Sequence, residues 1–183
     1  MDRWAEELAP GSVGWLGTTA GVTGDGRFIA LARFESEAAA RRNSGRPEQD
    51  RWWAETSQLL GGEATFSDSS DVTVDLAGNP DDAGFVQVIR GRGSDPDRAR
   101  ELMGQDSSAW AAFRPEILGS VAVGHEGGAY TMAVYFTSEA EAREGEAKEP
   151  PPELQAQMEE MAALSVGEPE FFDLEQPWLY SPR

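Results

Sequence analysis

A reaction needs a group that can take a proton, attack or hold a metal, and this chain offers few. His125 is the only histidine, and it falls in the turn sequence Gly124-His125-Glu126-Gly127-Gly128. There an imidazole could ligate iron or move a proton. The plainer reading is a solvated turn residue, because a ligating or catalytic His needs an orienting partner. The absence of cysteine removes disulfides, thiolate metal sites and cysteine nucleophiles together. No GxxxxGK[ST] loop and no GxSxG elbow occurs, and the glycines of Gly21-Val22-Thr23-Gly24-Asp25-Gly26 suit a hairpin turn. The carboxylate runs at Asp68 to Asp71 and Glu144 to Glu149 lack the spacing of a calcium loop and read as solvated surface. No metal site is expected.

Aromatic residues are the more promising set. Trp52, Trp53, Trp110, Phe113 and Tyr130, with Met158, could receive a flat apolar ligand, or they could simply fill a core. Trp52 and Trp53 point about 100° apart on a helix, so one of them must meet something other than the core. Arg33 sits in an apolar strand, where it either meets an anion or snorkels from the sheet edge.

The elements that must carry these residues are clearest in the second half. Phe85-Val86-Gln87-Val88-Ile89 reads as a buried strand, and Ser94-Asp95-Pro96 as a cap with proline at the first helical position. Ala99, Leu102, Met103, Trp110 and Phe113 keep helical spacing, broken only by Asp106, until Arg114-Pro115. Leu118 to Val123 and Tyr130 to Phe136 form a hairpin. Ser138 with Glu141 makes a capping box for a second helix, which continues through Leu154, Met158, Met161 and Leu164. A strand around Phe171 to Leu174 closes a β-α-β-β-α-β unit, the ferredoxin-like order.

The first half repeats this pattern. Gly26 to Arg41 and Gly128 to Arg143, 128 − 26 = 102 residues on, share Gly, Phe, Ser, Glu, two Ala and Arg. Gly62 to Asp68 answers Gly167 to Asp173 at 173 − 68 = 105, which places an insertion of three residues near Gly145 to Pro151. Loops tolerate such insertions at little cost. So long a period means duplicated domains: residues 1–76, a turn-rich linker at 77–84, and residues 85–183.

A strand ending in an aromatic residue and followed by Ser-Glu and Ala, at Phe34 to Ala39 and Phe136 to Ala142, resembles the dimeric α/β-barrel superfamily. That group includes antibiotic biosynthesis monooxygenase-like, haem-degrading and stress-responsive barrel proteins. The resemblance implies an α+β fold in which tandem ferredoxin-like repeats form a pseudo-dimeric barrel. It further implies a ligand cavity between sheet and helices, for which Trp52, Trp53, Trp110, Phe113, Tyr130 and Met158 are the natural lining.

The expected function is therefore small-molecule binding, with a cofactor-free monooxygenase or isomerase as one alternative and a non-catalytic structural or assembly module as another. No cofactor is expected. The expected partners are a small apolar or aromatic ligand and a second copy in a homodimer. A net charge of −18 repels nucleic acid and anionic lipid, no apolar run suits a membrane, and the acidic N-terminus suits the cytoplasm.

The register of the repeats leaves the first copy without its opening strand. That absence should strip partners from Phe28 to Phe34 and from Val72 to Leu76. Three remedies are open: another segment fills the slot, the two strands pair directly, or the natural chain begins about 15 to 20 residues before Met1, the remedy favoured here.

Overall fold

The computed structural model describes residues 1–105 and 108–182. In chain order its elements are β1 (Trp15–Val22), β2 (Phe28–Phe34), α1 (Glu37–Ser44), α2 (Pro47–Thr56), β3 (Val72–Leu76), β4 (Phe85–Arg92), α3 (Pro96–Met103), α4 (Ser108–Phe113), β5 (Ile117–Gly124), β6 (Ala129–Phe136), α5 (Glu139–Glu146), α6 (Pro152–Leu164), β7 (Glu170–Leu174) and β8 (Trp178–Tyr180), with short helical turns between some of them. The fold is mixed α+β with two antiparallel sheets, ordered β2-β1-β8 and β3-β5-β6-β4-β7. Both sheets are open, so the barrel anticipated above is not a single closed sheet. Two compact units result, Met1–Ser70 with Gln176–Arg183, and Asp71–Glu175.

In the first unit the hairpin β1–β2 runs in register from Gly17↔Arg33 to Val22↔Phe28. Its core is Trp4, Leu8 and Trp15, against which Phe34, Trp52 and Tyr180 pack. Trp4 and Trp15 meet edge to face at 5.2 Å, a favoured geometry for two ring quadrupoles. Both indole N–H groups are satisfied, Trp4 donating to Gln49 at 2.8 Å and Trp15 to Thr18 at 2.9 Å.

In the second unit β4 and β6 pair over eight residues, from Phe85↔Phe136 to Arg92↔Ala129. Strand alternation puts Val86, Val88, Val121, Ala133, Tyr135, Phe172 and Leu174 on one face, and every one of them is buried. The opposite face carries Gln87, Ile89, Ala122, Tyr130, Met132 and Val134; Gln87 is buried and the other five are half-buried. The two helical regions are each interrupted. The helix expected through Ala99 and Phe113 stops at Gly104, whose N–H bonds back to Arg100 and Leu102; Asp106 lies outside the described residues. The second breaks between α5 and α6 at Pro150 and Pro151, which lack the N–H a helix needs.

The strand-slot expectation needs correction. Val72–Leu76 does not flank an empty slot beside β2, and the two strands do not pair with each other: β3 pairs with β5 from Val72↔Val123 to Leu76↔Gly119. In the first unit Trp178–Tyr180, a strand the sequence reading did not foresee, pairs with β1. β2 is left as an edge, and none of its residues is buried. Residues 62–68, which answer 167–173 in sequence, form no strand. Their counterpart β7 is held by β4, and no strand precedes β1 in the described chain to do the same.

Candidate functional site

In the second unit α4 offers Trp110 and Phe113, with ring centroids 6.2 Å apart. The Trp110 indole donates to Gln157 of α6 at 2.6 Å, and the Gln157 amide donates in turn to the Leu102 carbonyl at 3.0 Å. One glutamine thus ties α3, α4 and α6 at the aromatic pair. Met158, the next residue on α6, is 45 % exposed.

Tyr130 lies on the half-buried sheet face, opposite both Gly91 and Gly124. A Cβ at residue 91 would fall 2.6 Å from the Tyr130 hydroxyl oxygen, so glycine there makes room for the phenol. Burial pushes the Tyr130 pKa up from its ordinary value of 10.0. Trp110 and Phe113 are brought together on the helices, and Tyr130 stands on the sheet.

Alternation places a polar group on this same face that the sequence reading missed. Gln87 donates to Asp173 at 3.0 Å, and the other oxygen of Asp173 accepts from Arg143. The Arg143 guanidinium also lies 5.2 Å from the Phe85 ring centre, a cation–π distance. The one available signal was Gln87 itself, a polar residue inside the apolar run Phe85-Val86-Gln87-Val88-Ile89.

In the first unit the two neighbouring tryptophans part company as helical geometry requires. Trp52 packs on the Trp4 cluster, whereas Trp53 meets Phe66 edge to face at 5.1 Å. Phe66 is itself 75 % exposed. Arg33 reaches the Leu16 carbonyl at 3.5 Å. His125 shares a 3.1 Å hydrogen bond with Thr131. Among the described residues no group of three or more His, Asp or Glu is placed to hold a metal ion, and no helix is long and apolar enough to cross a membrane.

Against this geometry stand the likenesses to known proteins. No protein-family model and no curated protein matches the chain. Solved structures do. A candidate monooxygenase from Lactobacillus acidophilus NCFM matches with a TM-score of 0.69 and 10 % identity, over 98 % of this chain and 89 % of that one. One from Fusobacterium nucleatum subsp. nucleatum ATCC 25586 gives 0.70 at 10 % identity, over 98 % and 84 %. An anthrone oxidase-like protein gives 0.63 at 16 % identity, over 98 % and 83 %. At such identities the likeness shows a shared fold.

Tyr180 lies apart from these residues, in the first unit, where its hydroxyl donates to the Asp2 carboxylate. Burial, and then Asp2, push its pKa from the ordinary 10.0 up to about 12. The folded pKa exceeds the unfolded one, so the stability this group contributes is complete below pH 10. It is lost as pH rises through about 12. A phenolate absorbance titration of the three tyrosines should show a late component that Tyr180→Phe removes and Asp2→Asn moves to lower pH. If Asp2→Asn leaves the late component in place, the contact with Asp2 does not raise the phenol.

Proposed function

We propose that the chain is a duplicated protein of the dimeric α/β-barrel type, with repeats at 1–76 and 85–183 joined by 77–84, that binds a small apolar or aromatic molecule. The duplication is supported by element bounds. β1 and β5, and α1 and α5, begin and end 102 residues apart, 117 − 15 and 139 − 37. Gly17 and Gly119 share φ values of 146° and 147°. Ser36 and Ser138 cap α1 and α5 with the same extended backbone.

One observation carries the binding reading: a half-buried, largely apolar sheet face bearing the Tyr130 phenol, in a fold shared along 98 % of the chain with candidate monooxygenases. Trp110, Phe113, Tyr130 and Met158 would line the pocket of the second repeat, and Trp52 and Trp53 would serve the first. An aromatic ketone fits the second set, its rings against apolar side chains and its oxygen accepting from Tyr130. A cofactor-free oxygenase or isomerase is the second reading, favoured by the likeness to an anthrone oxidase-like protein. On that reading Tyr130 would donate to the substrate's carbonyl oxygen as negative charge develops on it.

Titration with anthrone under nitrogen, followed by tryptophan quenching and calorimetry, tests the binding. Tyr130→Phe should weaken it about 2- to 10-fold, as the loss of one hydrogen bond of about 0.5–1.5 kcal/mol requires. Trp110→Phe should abolish part of the quenching. Unchanged affinity and quenching in both variants would leave these residues as plain core. Oxygen uptake on admitting air decides between binding and catalysis.

A further inference from the structure

Gly91, Tyr130 and Gly124 lie directly opposite one another on β4, β6 and β5, so they form one row across the half-buried sheet face. Helix α3 crosses that row. It follows the end of β4, and its Arg100 guanidinium reaches the Asp71 carboxylate on the far side with hydrogen bonds of 2.9 and 3.1 Å. Asp71 is fixed at the end of β5, where its carbonyl accepts from the Gly124 N–H at 2.8 Å. Its carboxylate fills the space over Gly124: a Cβ there would fall 2.2 Å from Asp71 Oδ2. That space is on the side of the sheet where Tyr130 stands, since directly opposite residues of antiparallel strands share a face. The other flank of α3 is held by α6. Ser94 donates through its N–H and its hydroxyl to the Leu164 carbonyl at 2.8 and 3.0 Å, Arg98 pairs with Glu160 at 2.6 Å, and Gln157 donates to the Leu102 carbonyl. The Arg100 and Asp71 side chains are 43 % and 48 % exposed, so their pair is of the solvated kind that contributes little. α3 is thus anchored along α6 and clipped at the β5 end by a contact that thermal motion can break.

We propose that α3 is a gate over the Tyr130 face, latched by the Arg100–Asp71 ion pair, and that a ligand enters and leaves when the latch parts and α3 swings from β5 while staying with α6. It rests on the reading of the second unit as a binder of an aromatic molecule. The latch is built into the sheet, because only a residue without a Cβ at 124 leaves room for the Asp71 carboxylate. A latch that governs opening equally for entry and exit changes both rates together and leaves the affinity alone. A residue that merely shapes the site changes dissociation, and with it the affinity.

Stopped-flow tryptophan quenching of the full chain by anthrone under nitrogen reads the two rates. Arg100→Gln should raise both about 2- to 5-fold, the effect of losing a half-exposed bridge, and leave Kd within about twofold. Gly124→Ala, which displaces the Asp71 carboxylate without touching either charge, should do the same. Asp97→Asn removes the partner that Arg100 has within α3 and should change neither rate. In wild type about 1 M salt should mimic Arg100→Gln by screening charges beyond about 3 Å, and should add nothing to that variant. A second measurement needs no ligand. Tetranitromethane nitrates accessible phenols, and peptide mass spectrometry reads the three tyrosines separately. Nitration of Tyr130 should quicken about 2- to 5-fold in Arg100→Gln and Gly124→Ala, while Tyr135, 2 % exposed, stays slow. Circular dichroism confirms folding, and Gly124→Ala carries the test should Arg100→Gln fail to fold. Wild-type nitration of Tyr130 in both variants overturns the gate. So does a rise in Kd carried by dissociation alone. If wild type takes up no anthrone, the binding reading fails and the nitration rates decide the gate.

Discussion

Glu116→Ala should cost the second unit about 3–5 kcal/mol, the effect of leaving one partner of a buried ion pair alone. The Glu116 and Arg114 side chains are 5 % and 13 % exposed and paired to each other. Arg114 also donates to the Ala142 carbonyl at 3.2 Å, and its guanidinium lies 6.0 Å from the Phe136 ring centre. Helix α5 passes so close that a Cβ at Gly145 would fall 2.7 Å from the guanidinium carbon of Arg114. Removing the carboxylate therefore leaves a largely buried cation with one carbonyl partner. Glu116→Gln keeps an acceptor of the same shape and should lose less. Adding Arg114→Leu to Glu116→Ala should recover part of the loss, since the stranded charge is gone. Urea midpoints measure the change, and hydrogen exchange of β5 and β6 amides locates it. A Glu116→Ala loss below about 1 kcal/mol would mean that the pair behaves as a solvated surface bridge.

The first unit meets the same need with other residues, which shows where sequence reading succeeds and where it stops. There Asn43, Ser12 and Arg46 form the buried cluster: Ser12 and Arg46 donate to the side-chain Oδ1 of Asn43 at 2.7 and 3.0 Å, and Arg46 donates to the Leu8 carbonyl at 3.0 Å. Asn43 lies 102 residues before Gly145, and Ser12 102 residues before Arg114. No local pattern in the chain announces either cluster, because each is assembled by contacts distant in sequence. The hairpins and caps were legible for the opposite reason. Alternation around Gly24-Asp25-Gly26 and Glu126-Gly127-Gly128, and Ser36 and Ser138 three residues ahead of the N–H groups they accept from, are local signals. The partner of β3 was not legible, since Val72–Leu76 records that a strand forms and nothing about whose edge it joins. β8 was missed because a strand of three residues is too short to show a period. The helical phase of Leu102 and Trp110 survives across Gly104, so the break in that helix was invisible to spacing alone.

Gly119→Ala should be the costliest single-methyl addition in the sheets, and more costly than the same change at Gly17. Both glycines sit one residue past a skip in strand register, between Ile117 and Gly119 against β6 and between Trp15 and Gly17 against β2. Both take φ near +147°, a conformation nearly closed to side-chain-bearing residues and worth about 1–3 kcal/mol in strain when forced on them. What differs is the neighbour. A Cβ at residue 119 would lie 2.8 Å from the Leu76 Cα and 2.9 Å from its Cδ2, so backbone would have to yield and β3 would be pushed off β5. The skipped residue, Leu118, also accepts from the Gly78 N–H at 2.8 Å, which pins the chain just beyond β3 to the same bulge. At residue 17 the nearest atoms are the Tyr180 carbonyl at 3.1 Å and the Arg33 guanidinium at 3.2 Å. The arginine can swing aside, and β8 is only three residues long. Gly17→Ala should therefore show little beyond the strain itself, whereas Gly119→Ala adds the unpairing of β3. Urea midpoints of the two variants give the order, and faster hydrogen exchange confined to Val72–Leu76 and the β5 residues facing it should mark Gly119→Ala. Equal losses would mean that backbone strain at the bulge, rather than the approach of β3, sets the requirement for glycine.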